Sequence, residues 1–151
     1  MAVVSIALLY AQPSRANMSI SPRLAFPLGH FGDIVDMGSG ISVIKASADD
    51  RSARVGINLL RFGHGALGSS TALGLLAGYS IQKKGFVLKL DAHLMRISTK
   101  ISLPFGHGVT GETKIKLTPG VGYTMGKLAA EIDYDIAGDW AGVNLYYMLS
   151  N

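Results

Sequence analysis

Three residues of types that could do chemistry, Lys89, Asp91 and His93, are spaced two apart in the sequence. Side chains two residues apart lie on one face of a β-strand, so Asp91 could orient His93 as a general base. No serine or other nucleophile stands at a spacing that would complete a hydrolytic site, and we expect no enzyme activity. The interpretation we favour is a structural charge network of eight residues: Lys89, Asp91, His93, Lys114, Lys116, Glu131, Asp133 and Asp135.

The remaining histidines follow glycines in three segments that lack strand periodicity. Their separations do not match the short i, i+2 or i, i+4 spacing that brings metal ligands together, so we expect neither a metal site nor a cofactor. Loops on a rigid scaffold carry contacts to other molecules more often than strands do. We therefore predict five positions for loop contacts with a partner whose identity the sequence does not give: His30, Phe31, His64, Phe105 and His107.

The elements that hold these residues are strands, because segments of about ten residues alternate apolar and polar side chains along most of the chain. In residues 127–137, for example, Leu128, Ile132 and Tyr134 share one face and the carboxylates share the other. The pattern predicts eight strands: 17–26, 38–47, 52–62, 71–81, 86–97, 113–125, 127–137 and 139–149. Pro119 falls inside the sixth strand, where it removes one hydrogen bond of the ladder.

The connections between these strands alternate in length, apart from the last. Long segments such as residues 98–112 follow odd-numbered strands, and short turns such as "QKKG" and "GK" follow even-numbered ones. A barrel in which strands run up and down through a membrane, with both termini on one side, has this asymmetry. We therefore predict short turns at one rim and loops at the other.

Alternation alone does not tell which face meets which solvent, because a soluble lipocalin-like barrel alternates too. Here the polar faces combine glycines with charges of both signs, which suits a narrow interior filled by side chains. Aromatic residues lie near strand ends on the apolar faces, as in the interfacial girdles of membrane barrels. The girdle residues we predict are Phe26, Tyr79, Phe86, Tyr123 and Tyr147, with Trp140 beside them. Lys45 and Arg61 also fall on the apolar faces, which is tolerable near a rim.

Composition agrees with a membrane barrel of a single domain. The chain has 151 residues, of which 48% are hydrophobic and 16% charged, with 19 glycines and no cysteine. No run of 18 apolar residues predicts a membrane-spanning helix. The net charge of +4 is scattered, so no nucleic-acid partner is expected. Residues 1–16 are interpreted as the remnant of a secretory signal peptide, or alternatively as a first buried strand over 2–10, and 17–151 form the barrel.

Three stretches resemble the outer-membrane β-barrel domain family of Gram-negative bacteria: "SISPRLAFPLGHFGDIVDMGSGISV", "PGVGYTMGKLAAEIDYDIAGD" and "AGVNLYYML". The second contains the G-x-G-Y-x-x-G-K-L turn that recurs in that family, and the third is similar to its glycine- and tyrosine-rich last strand. The resemblance implies a bacterial outer-membrane location, contact with outer-membrane lipid and insertion by the barrel-assembly machinery.

Together these observations predict an all-β fold, a single eight-stranded antiparallel up-and-down transmembrane β-barrel with a filled polar lumen. We expect a structural or surface-interaction role through extracellular loops and no open pore, because eight strands leave an interior that side chains fill. The alternative is a soluble lipocalin-like barrel that binds an apolar ligand. A hydrolase of the envelope is a third interpretation.

Overall fold

The computed structural model describes residues 16–47, 50–63, 68–103 and 105–149. The predicted signal peptide lies almost wholly outside these ranges, as does His64. The described residues form eight strands: β1 Ala16–Pro27, β2 Gly38–Ser47, β3 Arg51–Phe62, β4 Gly68–Lys83, β5 Phe86–Leu103, β6 Gly106–Met125, β7 Leu128–Tyr134 and β8 Trp140–Leu149. One helical turn, α1 Gly29–Gly32, lies between β1 and β2.

The sheet closes on itself. Each strand pairs antiparallel with the next one in sequence, and β8 returns to pair with β1 through contacts such as Ile20 with Tyr147. The turns at 84–85 and 126–127 lie at the end of the barrel where β1 begins and β8 ends, here called the short-turn rim. The connections at 28–37 and 135–139 lie at the opposite end, the long-loop rim. The predicted up-and-down eight-stranded barrel is confirmed.

The prediction of a long irregular loop at 98–112 is wrong. β5 and β6 stay paired from Phe86 with Tyr123 to Leu103 with Gly106, so these residues form a β-hairpin that extends beyond the sheet shared with β7. The apolar alternation stops near residue 97 because neither face of the hairpin tip meets a uniformly apolar environment. The strands continue nonetheless, since backbone hydrogen bonds and β-branched residues such as Thr99 and Val109 support them.

Pro119 marks the point where β6 leaves the closed sheet. Pairing of β6 with β7 starts at Gly120 with Asp133, whereas pairing with β5 runs through Pro119 and beyond. The carbonyl of Leu117 accepts a hydrogen bond from Ile136 N at 3.0 Å, so odd-numbered residues here direct their backbone groups toward the β7 side. Pro119 therefore lacks its N–H on the β7 side, and the regular pairing of β6 with β7 stops next to it, as expected for a lost ladder bond.

The barrel directs its apolar faces outward. Leu128, Ile132 and Leu145 are 56%, 59% and 57% exposed, whereas Asp133, next to Ile132 in the chain, is 2% exposed. The predicted girdle residues Phe26, Tyr79, Phe86, Tyr123 and Tyr147 are exposed on the same outer surface. Lys45 and Arg61 point outward within two residues of the ends of β2 and β3. Among the described residues, no helix has the length and apolar character needed to cross a bilayer.

The sequence had suggested that Trp140 lies beside the aromatic girdle, but the structure places it elsewhere. It is 1% exposed and lies inside the barrel at the long-loop rim, because even-numbered residues of β8 point inward. Its ring packs against Phe62 at 5.5 Å and against Phe31 at 6.0 Å, measured between ring centroids. Together with Val35 of the 28–37 connection, these residues belong to an apolar cluster at that end of the interior.

Candidate functional site

The interior of the barrel holds six charged side chains near its middle, which we call the interior charge cluster. Inward-facing positions on alternate strands supply them, and each is at most 5% exposed: Arg23 (β1), Arg54 (β3), Lys89 and Asp91 (β5), Glu131 and Asp133 (β7). The cluster contains three cations and three carboxylates, so its formal charges balance. A lone buried ion would cost several kcal/mol, whereas matched partners offset much of that penalty.

Lys89 has the largest number of ionic contacts in the cluster. Its Nζ lies 2.8 Å from Glu131 Oε2, 3.0 Å from Asp133 Oδ2 and 3.6 Å from Asp91 Oδ2. One ammonium group thus joins all three carboxylates, two of which belong to β7 and one to its own strand. Removing this cation would leave an excess of negative charge inside the barrel.

The two arginines complete the cluster from the other side. Arg23 Nη2 lies 2.6 Å from Asp133 Oδ1, and Asn144 Nδ2 donates to Asp133 Oδ2 at 2.8 Å. Arg54 Nη1 lies 3.2 Å from Glu131 Oε1, and its Nε lies 3.6 Å from Asp91 Oδ1. The network predicted from the sequence did not include Arg23 or Arg54. The missing signal was charge balance, because the predicted carboxylates exceed the lysines that reach them.

Glycines provide the space for these long side chains. A Cβ added to Gly120 would lie 2.5 Å from Lys89 Cε, and one added to Gly122 would lie 2.6 Å from Glu131 Cγ. Real Cβ atoms do not approach other atoms so closely, so a larger residue would displace the charged groups. This agrees with the expectation that small residues make room for interior charges.

A second ionic group lies nearer the long-loop rim. Lys116 Nζ contacts Asp135 Oδ2 at 2.6 Å and also contacts Asp139 in the β7–β8 connection. The same ammonium lies 4.5 Å from the ring centroid of Trp140, which places a cation over an aromatic face. Asp135 also accepts a hydrogen bond from the backbone N–H of Ala137, so this group fixes the turn after β7.

Lys114 is not part of the interior network, contrary to the prediction. Its side chain is 43% exposed and pairs with Glu112 at 2.7 Å on the same strand. Lys114 does lie on the same face of β6 as Lys116, as the sequence predicted. The environment differs because the residues after β7, Asp135 and Asp139, cover Lys116, whereas the face at residue 114 is open.

His93 lies in the interior, but Asp91 does not orient it. Asn58 Nδ2 lies 2.6 Å from His93 Nδ1, and Thr118 Oγ1 lies 2.7 Å from His93 Nε2. Thr118 Oγ1 in turn donates to the backbone carbonyl of Asp91 at 3.3 Å. Because the Thr118 hydroxyl donates to that carbonyl, His93 Nε2–H donates to Thr118 and His93 Nδ1 accepts from the Asn58 amide, which is the reverse of the proton order in a nucleophilic triad. All three side chains are at most 2% exposed.

The predicted loop contacts have different surroundings. Phe31 is half-buried and packs edge-on against Phe62 at 4.9 Å, so part of its ring covers the end of its own barrel. His30 is exposed and lies 3.4 Å from Asp33. Phe105 is fully exposed at the hairpin tip, and His107 beside it is exposed as well. His64 lies outside the described residues.

The short-turn end of the interior contains a cavity of about 110 Å³. Polar and charged side chains line part of it, including Ser52, Ser80, Arg54 and Glu131, and Tyr146 also lines it. A volume of this size holds a few water molecules, and such polar groups suit them. In the part of the chain that the structure describes, no three His, Cys, Asp or Glu residues are grouped to hold a metal ion.

These features define a class: a small closed β-barrel with an apolar outer surface and a charged interior. Ail, the attachment invasion locus protein of Yersinia pestis, matches it with a TM-score of 0.62 at 13% identity, over 91% of this chain and 97% of Ail. The N-terminal β-barrel domain of Pseudomonas aeruginosa OprF matches with 0.54 at 15% identity, over 89% and 97%. Neisserial surface protein A matches with 0.51 at 11% identity, over 88% and 94%.

No protein-family model and no curated protein sequence matches the chain. The chain has the fold of the small eight-stranded outer-membrane β-barrels, and the resemblance seen in the sequence is confirmed at the level of the fold. The predicted outer-membrane location agrees with this fold.

Proposed function

We propose that the protein is an integral barrel of the bacterial outer membrane, closed to bulk solutes, which presents a β-hairpin at the cell surface. The observation that carries the proposal is the polarity of the barrel wall, with Leu128, Ile132 and Leu145 outside and the charge cluster inside. Hydrocarbon tolerates a β-sheet only when it closes and pairs its backbone groups internally. The soluble lipocalin-like alternative needs the opposite polarity, with these leucines and isoleucine at the centre.

Membrane integration is tested by fractionation and by gel migration. The full chain, inserted by the barrel-assembly machinery, is expected to stay with outer membranes after washing with alkaline carbonate and to need detergent for a monodisperse preparation. Unheated samples are expected to migrate differently from boiled ones, because the closed barrel resists detergent until heated. Recovery of a monodisperse chain from the aqueous fraction would contradict the proposal.

The proposal of a closed interior is supported by the side chains that fill the long-loop end and the middle of the barrel. The apolar cluster around Phe62 and Trp140 occupies the long-loop end, and the charge cluster occupies the middle. Reconstituted protein is therefore expected to give no stepwise conductance in planar bilayers and no swelling of liposomes in oligosaccharide solutions. A wide porin serves as the positive control. Steps of porin size from the purified barrel would overturn this part of the proposal.

A role at the surface is supported by the hairpin formed by the ends of β5 and β6. Its tip carries the fully exposed Phe105, and its strands reach beyond the pairing with β7. A barrel of this fold, Ail, has been crystallised with the heparin analogue sucrose octasulfate. We propose that the hairpin contacts a partner outside the cell.

Surface presentation is tested with epitope tags in matched turns. A tag between Phe105 and Gly106 is expected to be detected on intact cells. A tag between Lys84 and Gly85, at the short-turn rim, is expected to be detected only after permeabilisation. The reverse result would mean that the barrel is inserted with the opposite orientation.

A further inference from the structure

Three basic side chains stand on the outer surface just beyond the apolar band, toward the long-loop rim. They are Arg61 on β3 and Arg96 and Lys100 on β5, and all three are exposed. One step nearer the barrel centre on the same faces, Leu59 and Leu94 are 45% and 50% exposed. On both β3 and β5, the outward-facing side chains thus change from apolar to cationic from one outward position to the next.

The strand register brings these cations close together. Thr71 of β4 pairs with Arg61 on one side and with Ser98 on the other, and Ser98 lies midway between Arg96 and Lys100. With strands roughly 4.8 Å apart and a rise of about 3.4 Å per residue, the three Cα atoms lie within about 14 Å of one another. Their long side chains can therefore reach neighbouring groups of one anionic molecule.

Asp36 lies beside Gly63, two residues along the chain from Arg61, but is not ion-paired with the patch. None of the three cations forms an ion pair within the described ranges, in contrast to Lys114, which pairs with Glu112 on the opposite face. Between and beside the cations the outer face presents hydroxyl groups, including Thr71 and Thr113. Cations and hydroxyl donors with few acceptors nearby are suited to phosphate oxygens.

We propose that Arg61, Arg96 and Lys100 bind the phosphate groups of a glycolipid in the outer leaflet of the membrane. This inference rests on the proposed outer-membrane location. The side chains point away from the barrel axis at the level where the apolar band ends, and lipid head groups occupy that level. Guanidinium groups fit phosphate as two-pronged donors, and each cation near an anionic lipid surface contributes about a fivefold factor in binding.

The test compares lipid binding by three forms of the full chain. Native mass spectrometry of the refolded barrel measures retention of lipid A with two phosphates and of the same lipid after dephosphorylation. The test variant is Arg61→Gln/Arg96→Gln/Lys100→Gln. The matched control, Lys45→Gln/Arg51→Gln/Lys83→Gln, removes three exposed cations near the short-turn rim. Heat-modifiable migration establishes that each variant is folded. If the triple test variant does not fold, the single variant Lys100→Gln replaces it.

The wild type is expected to retain the phosphorylated lipid at least tenfold better than the dephosphorylated lipid. The test variant is expected to lose that preference, about fivefold for each cation removed, and the control to keep it. Equal loss in both triple variants, no preference in the wild type, or full competition by soluble pyrophosphate would overturn the inference. A barrel that folds but shows no preference fails this inference alone, whereas a chain that needs no detergent fails the proposed function.

Discussion

The substitution Lys89→Met tests whether the interior charge cluster stabilises the barrel. Methionine keeps most of the side-chain length but removes the ammonium that lies 2.8 to 3.6 Å from Glu131, Asp133 and Asp91. Two arginines would then face three buried carboxylates. Removing one partner of a buried ionic group costs about 3–5 kcal/mol, because the remaining charge is desolvated without compensation. We expect a loss of stability in this range.

The matched control is Lys114→Met. Lys114 lies on the face of β6 that points inward within the closed barrel, as Lys89 does on β5, but its ion pair is exposed. Its ion pair with Glu112 is 43% and 51% exposed at the two side chains, and exposed pairs contribute about 0–1 kcal/mol. A second comparison is Lys89→Met/Glu131→Gln, which restores equal numbers of cations and anions. We expect this double variant to be more stable than Lys89→Met, with a coupling energy of about 1–3 kcal/mol.

Unfolding in urea is measured with the barrel in lipid vesicles, and the fluorescence of Trp140 reports the transition. Trp140 is the only tryptophan in the sequence and packs in the apolar cluster, so its emission shifts when the interior opens. Heat-modifiable migration gives an independent measure of closure. If Lys89→Met and Lys114→Met changed the free energy of unfolding equally, the reasoning about the cluster would be refuted.

Three further predictions concern the wall, the glycines and the hairpin. Ile132→Arg on the outer face is expected to destabilise the barrel in vesicles by about 2–4 kcal/mol. Val109→Arg on the hairpin is expected to destabilise it by less than about 1 kcal/mol. Equal effects of the two variants on urea unfolding would argue against a bilayer around Ile132. Gly120→Ala is expected to cost about 1–3 kcal/mol by crowding the interior, whereas Gly111→Ala, whose Cβ would meet its nearest atom at 3.9 Å, is expected to be neutral. Replacing residues 102–107 with an Asn-Gly turn, which keeps the pairing of β4 with β5 through Ile101, is expected to leave heat-modifiable migration and the urea midpoint unchanged, and loss of either would show that the hairpin tip supports the barrel.

The sequence predicted the closed barrel and the direction of its faces because both depend on residue parity. A two-residue period assigns each side chain to one face, and the combination of glycines with opposite charges identified the inner one. The positions of Asp91, Glu131 and Asp133 inside the barrel follow from that parity alone. The same reasoning would have placed Arg23 and Arg54 beside them if charge balance across strands had been applied.

The two-residue period could not predict which side chains of different strands contact one another. Trp140 begins β8 on an inward position, but the side chains that cover it come from the distant residues Phe31 and Phe62. His93 pairs with Asn58 and Thr118 on other strands rather than with Asp91 on its own. Such contacts are set by register across the barrel, which a single strand's sequence does not encode.

Strand β6 shows most clearly how one periodic pattern takes on two roles. Lys116 and Lys114 occupy equivalent positions two residues apart, yet the first is buried between carboxylates and the second is exposed beside Glu112. The difference arises because the β7–β8 connection reaches Lys116 through Asp135 and Asp139, whereas Lys114 pairs with Glu112 on its own strand. In the described part of the hairpin beyond Lys116, β6 pairs with β5, and its charged residues Glu112 and Lys114 are exposed. Substitutions at the hairpin tip are therefore expected to change an exposed surface without disturbing the ionic contacts inside the closed sheet.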